Sequence, residues 1–425
     1  MLPTLVSGGY VWLAAITITG QAPVVGDAAL SDRSLQRGGL AIHWVAHLPL
    51  AERDQVGRGY LINDSLYVST AGGTFFSVHA GAGLIRWGAR LTEPEYTIYR
   101  PSHIHMGDGG RLVVITTTDR LYVVERYTGE IIHSFEPPVV PGSPAVGLGN
   151  TIYLGSPDAR FYALLWGSKR TQRLVTLWQV VTGDPVTASP VLYRDDIILF
   201  GSRRGMVYSC RAADKVHNWS FKSSGGVLGE PVVEGTGVYF ADLGRSVYKL
   251  DAETGALAWQ KRLPYPLVEG PIVTSQTVYQ YCPGYGLVAI DAATGMERWR
   301  HTDGRTLAAH AAGRDVVFSR DRQLQVLDST TGEVLASLDA YPAEQALPNG
   351  QTDAVYLLDP AGGVMCIRPA SVPHLRPMEV NTIRAKLNTP PTGEQRAAAP
   401  VHVPDQEAEG RFENDPLRSR RDLAR

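Results

Sequence analysis

VYKLDAETGALAW at residues 247–259 and LVAIDAATGMERW at 287–299 are one phrase written twice, 40 positions apart (287 − 247). Weaker copies read LQVLDSTTGEVL at 324–335, LYVVERYTGEI at 121–131 and FFSVHAGAGLIRW at 75–87. Self-similarity at a period of roughly 40 residues is the mark of a repeat architecture. Within the first copy, Val247 to Asp251 place apolar residues at nearly every second position, which predicts a strand. Thr254-Gly255 supplies a tight turn, where Gly takes a positive φ at little steric cost. Leu257 and Trp259 then share one face of the returning strand, because side chains alternate. The phrase is a β-hairpin ending in a large aromatic residue. Upstream, Pro231-Val232-Val233 and Val238-Tyr239-Phe240 add two short strands, and similar pairs recur at 144–146 with 152–154, 190–192 with 197–200 and 271–273 with 278–279. Four strands per unit predict one propeller blade.

Counting the units sets the ring size. Strands that open the hairpin fall near Phe75, Leu121, Phe161, Val207, Val247, Leu287, Leu324 and Val364. The returning strands fall near Trp44, Trp87, His133, Trp178, Trp219, Trp259, Trp299 and Ala336. Both series number about eight at this period, but a returning strand comes first and an opener comes last. The two ends therefore belong to one blade, residues 42–45 completing the unit that ends near Val364. The expected fold is all-β: an eight-bladed propeller of four-stranded antiparallel blades, closed by an N-terminal strand. Closure removes the long free edge that would invite aggregation.

The repeat resembles the PQQ-type (quinoprotein-like) propeller family, whose pattern is roughly Ala-x-Asp-x-x-Thr-Gly-x-x-x-Trp. Ala289, Asp291, Thr294, Gly295 and Trp299 match it closely, as do Asp251, Thr254, Gly255 and Trp259. The resemblance spans about residues 40–370. It implies that the Trp of one blade docks near the turn of its neighbour and cements the ring. The expected docking set is Trp44, Trp87, Trp178, Trp219, Trp259 and Trp299, with Gly83, Gly129, Gly255, Gly295 and Gly332 at the turns. His133 and Ala336 stand where a Trp is expected, so those contacts should be weaker. Lys215 occupies a turn Gly position, and residues 167–173 lengthen the hairpin after Phe161. Quinone-dependent dehydrogenases of the family hold PQQ and calcium in the central funnel. Non-catalytic members include the outer-membrane β-barrel assembly lipoprotein propeller, which this chain is similar to in ring size and repeat style.

Composition narrows the class. Of 425 residues, 44% are hydrophobic and 19% charged, with 44 Gly and 28 Pro, as suits many short strands joined by turns. A net charge of −2 argues against a general nucleic-acid binder. Cys210, Cys282 and Cys366 lie in different units, show no metal spacing and read as buried small hydrophobes. No stretch approaches the roughly 20 apolar residues of a membrane helix. Residues 10–19, YVWLAAITIT, followed by Gly20-Gln21-Ala22, resemble a signal segment without its basic start. Residues 1–39 are thus an arm or signal-like segment, 40–372 the propeller, and 373–425 a Pro-, Ala-, Glu- and Arg-rich tail. The tail has too few apolar residues to offset ordering and reads as a disordered linker or partner-binding segment, with a short helix at 380–387. The expected location is periplasm or cell envelope, or cytoplasm if the first segment is no signal.

Chemistry is sparse. There is no adjacent Cys pair and no evident set of calcium ligands. Asp251, Asp291 and Asp328 sit at the repeat's Asp position, where a bond to the turn backbone explains them. His103 and His105 could share a strand face and reach one metal, but two ligands are not a site. Three groups suit recognition: Glu93, Glu95, Tyr96, Tyr99 and Arg100; Arg203-Arg204; and Arg320, Asp321, Arg322. The reading assigns no catalytic residue, cofactor or metal. It expects a non-enzymatic scaffold that binds other proteins through face loops and the C-terminal tail. The alternatives are a PQQ- and calcium-dependent dehydrogenase and a cytoplasmic assembly subunit.

Overall fold

The computed structural model describes residues 32–105, 110–167, 173–311 and 313–389. The signal-like run at 10–19, most of the tail and most of the insertion at 167–173 lie outside these residues. Within them, eight four-stranded antiparallel sheets form an eight-bladed propeller. Blade 1 starts at Val56–Ile62, blade 2 at Ser102–His103, blade 3 at Val146–Leu148 and blade 4 at Val191–Tyr193. Blade 5 starts at Val232–Glu234, blade 6 at Ile272–Val273, blade 7 at Gly304–Ala311 and blade 8 at Gln345–Ala346. In blades 1 to 7 the four strands follow in chain order from the innermost outward. Blade 8 takes its outermost strand from the other end of the chain. Leu40–His47 runs antiparallel to Gly363–Pro369, with Val45 opposite Met365 and Ala46 opposite Val364.

The core is not one mass but a series of apolar layers between successive blades. Leu66, Val68, Phe76 and Val78 of blade 1 pack with Tyr356, Leu358, Val364 and Cys366 of blade 8. Tyr67 and Phe75 pack with Val113 and Tyr122 of blade 2. The pattern recurs to the layer between blades 7 and 8, where Phe318 and Val326 meet Val355 and Ile367. Strand alternation produces this: each inner strand is apolar on both faces, one for each neighbour. Leu66 to Thr70 is accordingly buried throughout.

The turn chemistry is local. Asp251 Oδ1 accepts hydrogen bonds from the backbone of Glu253 (3.1 Å) and Thr254 (2.8 Å) and from the Thr254 hydroxyl (2.8 Å). Asp291 repeats the arrangement with Ala293 and Thr294, and Asp328 with Thr330 and Thr331. Glu125 does the same work one methylene longer, reaching Tyr127 and Thr128. These carboxylates are occupied as turn caps.

Each repeat Trp reaches the next blade. The indole N–H of Trp44, Trp87, Trp178, Trp219, Trp259 and Trp299 donates to the carbonyls of Ala80, Arg126, Ala212, Ala252, Ala292 and Ser329, at 2.8–3.1 Å. Five of the rings lie flat on a turn glycine: Trp44 on Gly83, Trp87 on Gly129, Trp219 on Gly255, Trp259 on Gly295 and Trp299 on Gly332. A Cβ on any of these glycines would come within 2.4–2.8 Å of the indole. The two junctions without a repeat Trp are filled by other parts of the chain. His133 stacks on Phe135 and meets Trp166, a third-strand Trp outside the repeat pattern, at 5.1 Å. Where Ala336 leaves space, the helix Asp32–Arg37 inserts Leu35, which is fully buried between blades 7 and 8.

Candidate interaction face and channel

Chain direction sorts the loops onto two ends of the ring. Loops that enter an inner strand emerge at the same end as loops joining the second and third strands of a blade. The three polar groups picked out in the sequence therefore share one face, here called the entry face. Residues 93–100 lie in the loop into blade 2, Arg203-Arg204 in the second-to-third loop of blade 4, and Arg320 to Arg322 in that of blade 7. Tyr96 is exposed, but Tyr99 and Arg100 turn inward. The Tyr99 hydroxyl donates to Pro141 O at 3.3 Å.

The same face carries exposed apolar residues that the polar groups do not announce. Tyr265 and Val268 stand on the loop into blade 6, Tyr341 on the loop into blade 8, Val140 on the loop into blade 3, and Leu243 in blade 5. A signal existed: Pro264-Tyr265-Pro266 and Tyr341-Pro342 hold an aromatic in a stiff loop. Around them the charges are mostly paired. Arg90 meets Glu93 at 2.6 Å, Arg204 meets Asp184 at 2.9 Å, Arg320 meets Asp303 at 3.1 Å and Arg322 meets Glu344 at 3.0 Å. Such exposed pairs add little stability but leave a nearly neutral surface studded with aromatics.

At the centre of this face Arg100 forms an ion pair with Glu230. The two belong to blades 2 and 5, three blades apart, so the pair spans the central opening. Beside it Arg305 forms two bonds with Glu269, at 2.5 and 2.7 Å, with its guanidinium 4.2 Å from the Tyr281 ring. The funnel that holds a quinone in catalytic members is crossed here by protein side chains.

His103 and His105 do not converge on one point. The buried His103 ring contacts Asn63 Nδ2 through Nδ1 (3.2 Å) and the Tyr67 hydroxyl through Nε2 (3.0 Å). His105 is half-exposed and meets Asp195 of blade 4 at 2.8 Å. Among the described residues no three His, Cys, Asp or Glu gather closely enough for a metal. Cys210 and Cys366 are buried, and desolvation pushes their thiols up to about 11 and about 12.

His103 supplies a pH dependence. Burial, helped by Arg126, pushes its pKa down to about 3. The Asn63 amide facing Nδ1 donates to the neutral ring. A base depressed on folding binds fewer protons than the unfolded chain between pH 3 and 6.5, so stability falls as pH drops through that window. At pH 5 the loss is about 2 kcal/mol, from about 1.5 units at 1.36 kcal/mol each. His310 has the opposite sign. The Asp315 carboxylate 2.6 Å from its Nδ1 raises its pKa, so that contribution is present in acid and lost as pH rises above neutrality. The expected result is that His103→Gln flattens the fall in melting temperature between pH 6.5 and 4, while His310→Asn flattens only the alkaline side. Parallel melting curves for wild type and His103→Gln across that acid range would contradict the assignment.

Comparison with known proteins now bears on the ring. The family model described as "Outer membrane protein assembly factor BamB" matches residues 175–302 and 265–372. The chain is a PQQ-like propeller similar to BamB. The outer membrane protein assembly factor BamB of Yersinia pestis is 25% identical over 209 residues, covering 44% of this chain and 51% of that protein. The chain thus spans about half the length of the curated relative it matches. The crystal structure of BamB from Moraxella catarrhalis superposes with a TM-score of 0.62 at 17% identity, covering 79% of this chain and 99% of that one. The designed protein Ika8 superposes at 0.59 with 15% identity, over 76% of this chain and 98% of its own. At those identities the structural likenesses speak for the fold alone, since one propeller architecture hosts many activities. No helix of the described residues is long and apolar enough to cross a membrane.

Proposed function

We propose that this propeller is a non-catalytic docking subunit of a protein-assembly complex in the bacterial envelope, and that its entry face is the docking surface. The observation that carries the reading is the convergence of Tyr96, Tyr265, Val268, Tyr341 and Leu243 on that face of a closed ring. Aromatic residues on stiff loops make strong anchors, because they bury large area at small entropic cost. The ring keeps those loops at fixed spacing. The Arg100–Glu230 pair across the opening further supports a binding role over quinone chemistry. BamB-type relatives, described as outer membrane protein assembly factors, support the envelope setting.

The test is capture from native envelope extracts with three baits. Wild type and Met296→Glu, which alters an exposed residue in a turn on the opposite end, should retain components of the outer-membrane assembly machinery. Tyr265→Glu/Tyr341→Glu should recover them at least about tenfold less, the loss of two aromatic anchors. Equal recovery with all three baits would sink the choice of face. Dye reduction that depends on added PQQ and calcium would sink the non-catalytic reading.

A further inference from the structure

One of the six repeat tryptophans meets a different turn. Trp178 of blade 3 donates to Ala212 O at 3.1 Å like its counterparts, but the turn residue opposite is Lys215, at φ 59°. In the five glycine turns there is no room for a Cβ against the indole. Lys215 carries that Cβ and a long side chain, yet Trp178 is as buried as its counterparts, at 7% exposed beside 7% for Trp219 and 8% for Trp259. An open groove of about 620 Å³ lies here, lined by Thr176 to Gln179 on one side and Ala213 to Lys215 on the other.

The strand bordering the groove is one of three outer strands of the ring without Asp, Glu, Lys or Arg, the others being Ile131–Phe135 and Leu40–His47. Leu174–Val181 is the outermost strand of blade 3, pairing on one side with Arg160–Trp166 and on the other with no described strand. Proteins blunt such edges with charge, proline or shortness. The corresponding strands of blades 4 to 6 carry charges: Lys222; Lys261 and Arg262; Glu297, Arg298 and Arg300. Leu174–Val181 reads LVTLWQVV, with no ionised residue. The register slip before Trp178 does not end it, and Leu174 to Thr176 run on opposite Trp166 to Leu164. Val175, Leu177 and Val181 stand 58%, 47% and 69% exposed.

We propose that this edge docks an extended segment of a partner protein, which joins blade 3 as a fifth strand with alternating apolar side chains and an acidic residue that pairs with Lys215. The backbone of the edge offers its free N–H and C=O groups to any extended chain, and the groove selects among them. Selection follows from charge. Asp214 in the groove is held by Arg211 of its own turn, whereas no described carboxylate pairs with the exposed Lys215. Arg173, just before the strand, is also exposed. The unmatched charge is positive, so the complementary strand is acidic as well as apolar.

The same chemistry disfavours a second copy of this chain as the occupant. A second copy pairing through this strand brings no carboxylate, since LVTLWQVV has none.

The probe is a fluorescent nonapeptide in which valine and threonine alternate around a central glutamate, with a lysine-centred twin. The glutamate peptide should bind the full chain saturably, roughly tenfold tighter than its twin, because the twin sets a lysine against Lys215 where the glutamate forms a pair. Binding should slow exchange of those amides of residues 174–181 that face away from Arg160–Trp166. Val175→Lys/Leu177→Lys should weaken binding by at least about tenfold, and Lys215→Glu should invert the preference between the peptides. All three positions are exposed, so these variants should melt with the wild type. Absence of saturable binding, or binding indifferent to the strand variant, overturns the proposal. So does a doubling of mass that Val175→Lys/Leu177→Lys abolishes, which would make the occupant a second copy. Amides of 174–181 that face away from Arg160–Trp166, if already protected in the free chain and exposed on removal of residues 1–31 or 390–425, would make the occupant this chain itself.

Discussion

A chain beginning at residue 48 should fail to form a stable propeller. Blade 8 would lose Leu40–His47 and keep Gln345–Ala346, Val355–Leu358 and Gly363–Pro369, with the last as a bare edge. Three packed side chains are lost with it, two fully or nearly buried and Trp44 partly so. Leu35 leaves the layer between blades 7 and 8, and Leu40 leaves the same layer. Trp44 leaves Gly83 and the Ala80 carbonyl. At roughly 2–5 kcal/mol for each large core side chain, these sum to about 10 kcal/mol. Folded domains have only about 5–15 kcal/mol in hand. The shortened chain should show no sharp thermal transition by circular dichroism and should elute as aggregate, since an unpaired edge templates association. Adding residues 32–47 as a separate peptide should restore part of the transition. A shortened monomer melting within a few degrees of the full chain would refute the claim that the ends of the chain hold the ring shut.

The second large effect lies at a wedge. Gly295 sits at φ +73° with its would-be Cβ 2.8 Å from the Trp259 ring. Gly295→Val should cost about 3–5 kcal/mol, combining left-handed backbone strain in a β-branched residue with collision against a well-packed ring. Trp259→Ala should cost a similar amount, about 3–5 kcal/mol, through the cavity it leaves and the bond lost to Ala292. The informative variant is the double one. With the indole gone, the valine has space, so only the backbone strain should add to the loss of Trp259. The pair should therefore be less destabilising than the sum by at least about 1 kcal/mol, a coupling typical of residues in direct contact. Urea unfolding of the four proteins measures it. Strict additivity would mean that the ring and the turn are not packed as one unit. At Lys215 the same logic predicts tolerance, because that turn already accommodates a side chain.

Much of the architecture was legible from short-range pattern. Asp251, Thr254 and Gly255 announce a turn because the carboxylate caps the backbone within three residues of itself. The offset between openers and returning strands announced closure, because a blade missing its fourth strand at one end of the chain needs the surplus one at the other. The entry face was half legible. Arg203, Arg204 and Arg320 to Arg322 were singled out as separate groups, and only the chain direction within each blade brings them to one end. Arg100 and Tyr99 were grouped with exposed neighbours but point inward, since their partners Glu230 and Pro141 lie in other blades. Tyr265 and Tyr341 lie outside the repeat phrase, and only their flanking prolines mark them.

The amino-acid sequence by itself determined the blade count, the hairpin turns and the joining of the two chain ends. Each depends on alternation or turn chemistry acting over a few residues, repeated at a constant period. Only the tertiary structure decided that Leu35 fills the place left by Ala336, that His103 is buried and neutral, that Arg100 crosses the opening to Glu230, and that Lys215 stands beside a groove. Those contacts join residues distant along the chain, in the case of Arg100 and Glu230 by 130 positions. No periodicity encodes them; they exist because a closed ring carries every inner strand round to the same central axis.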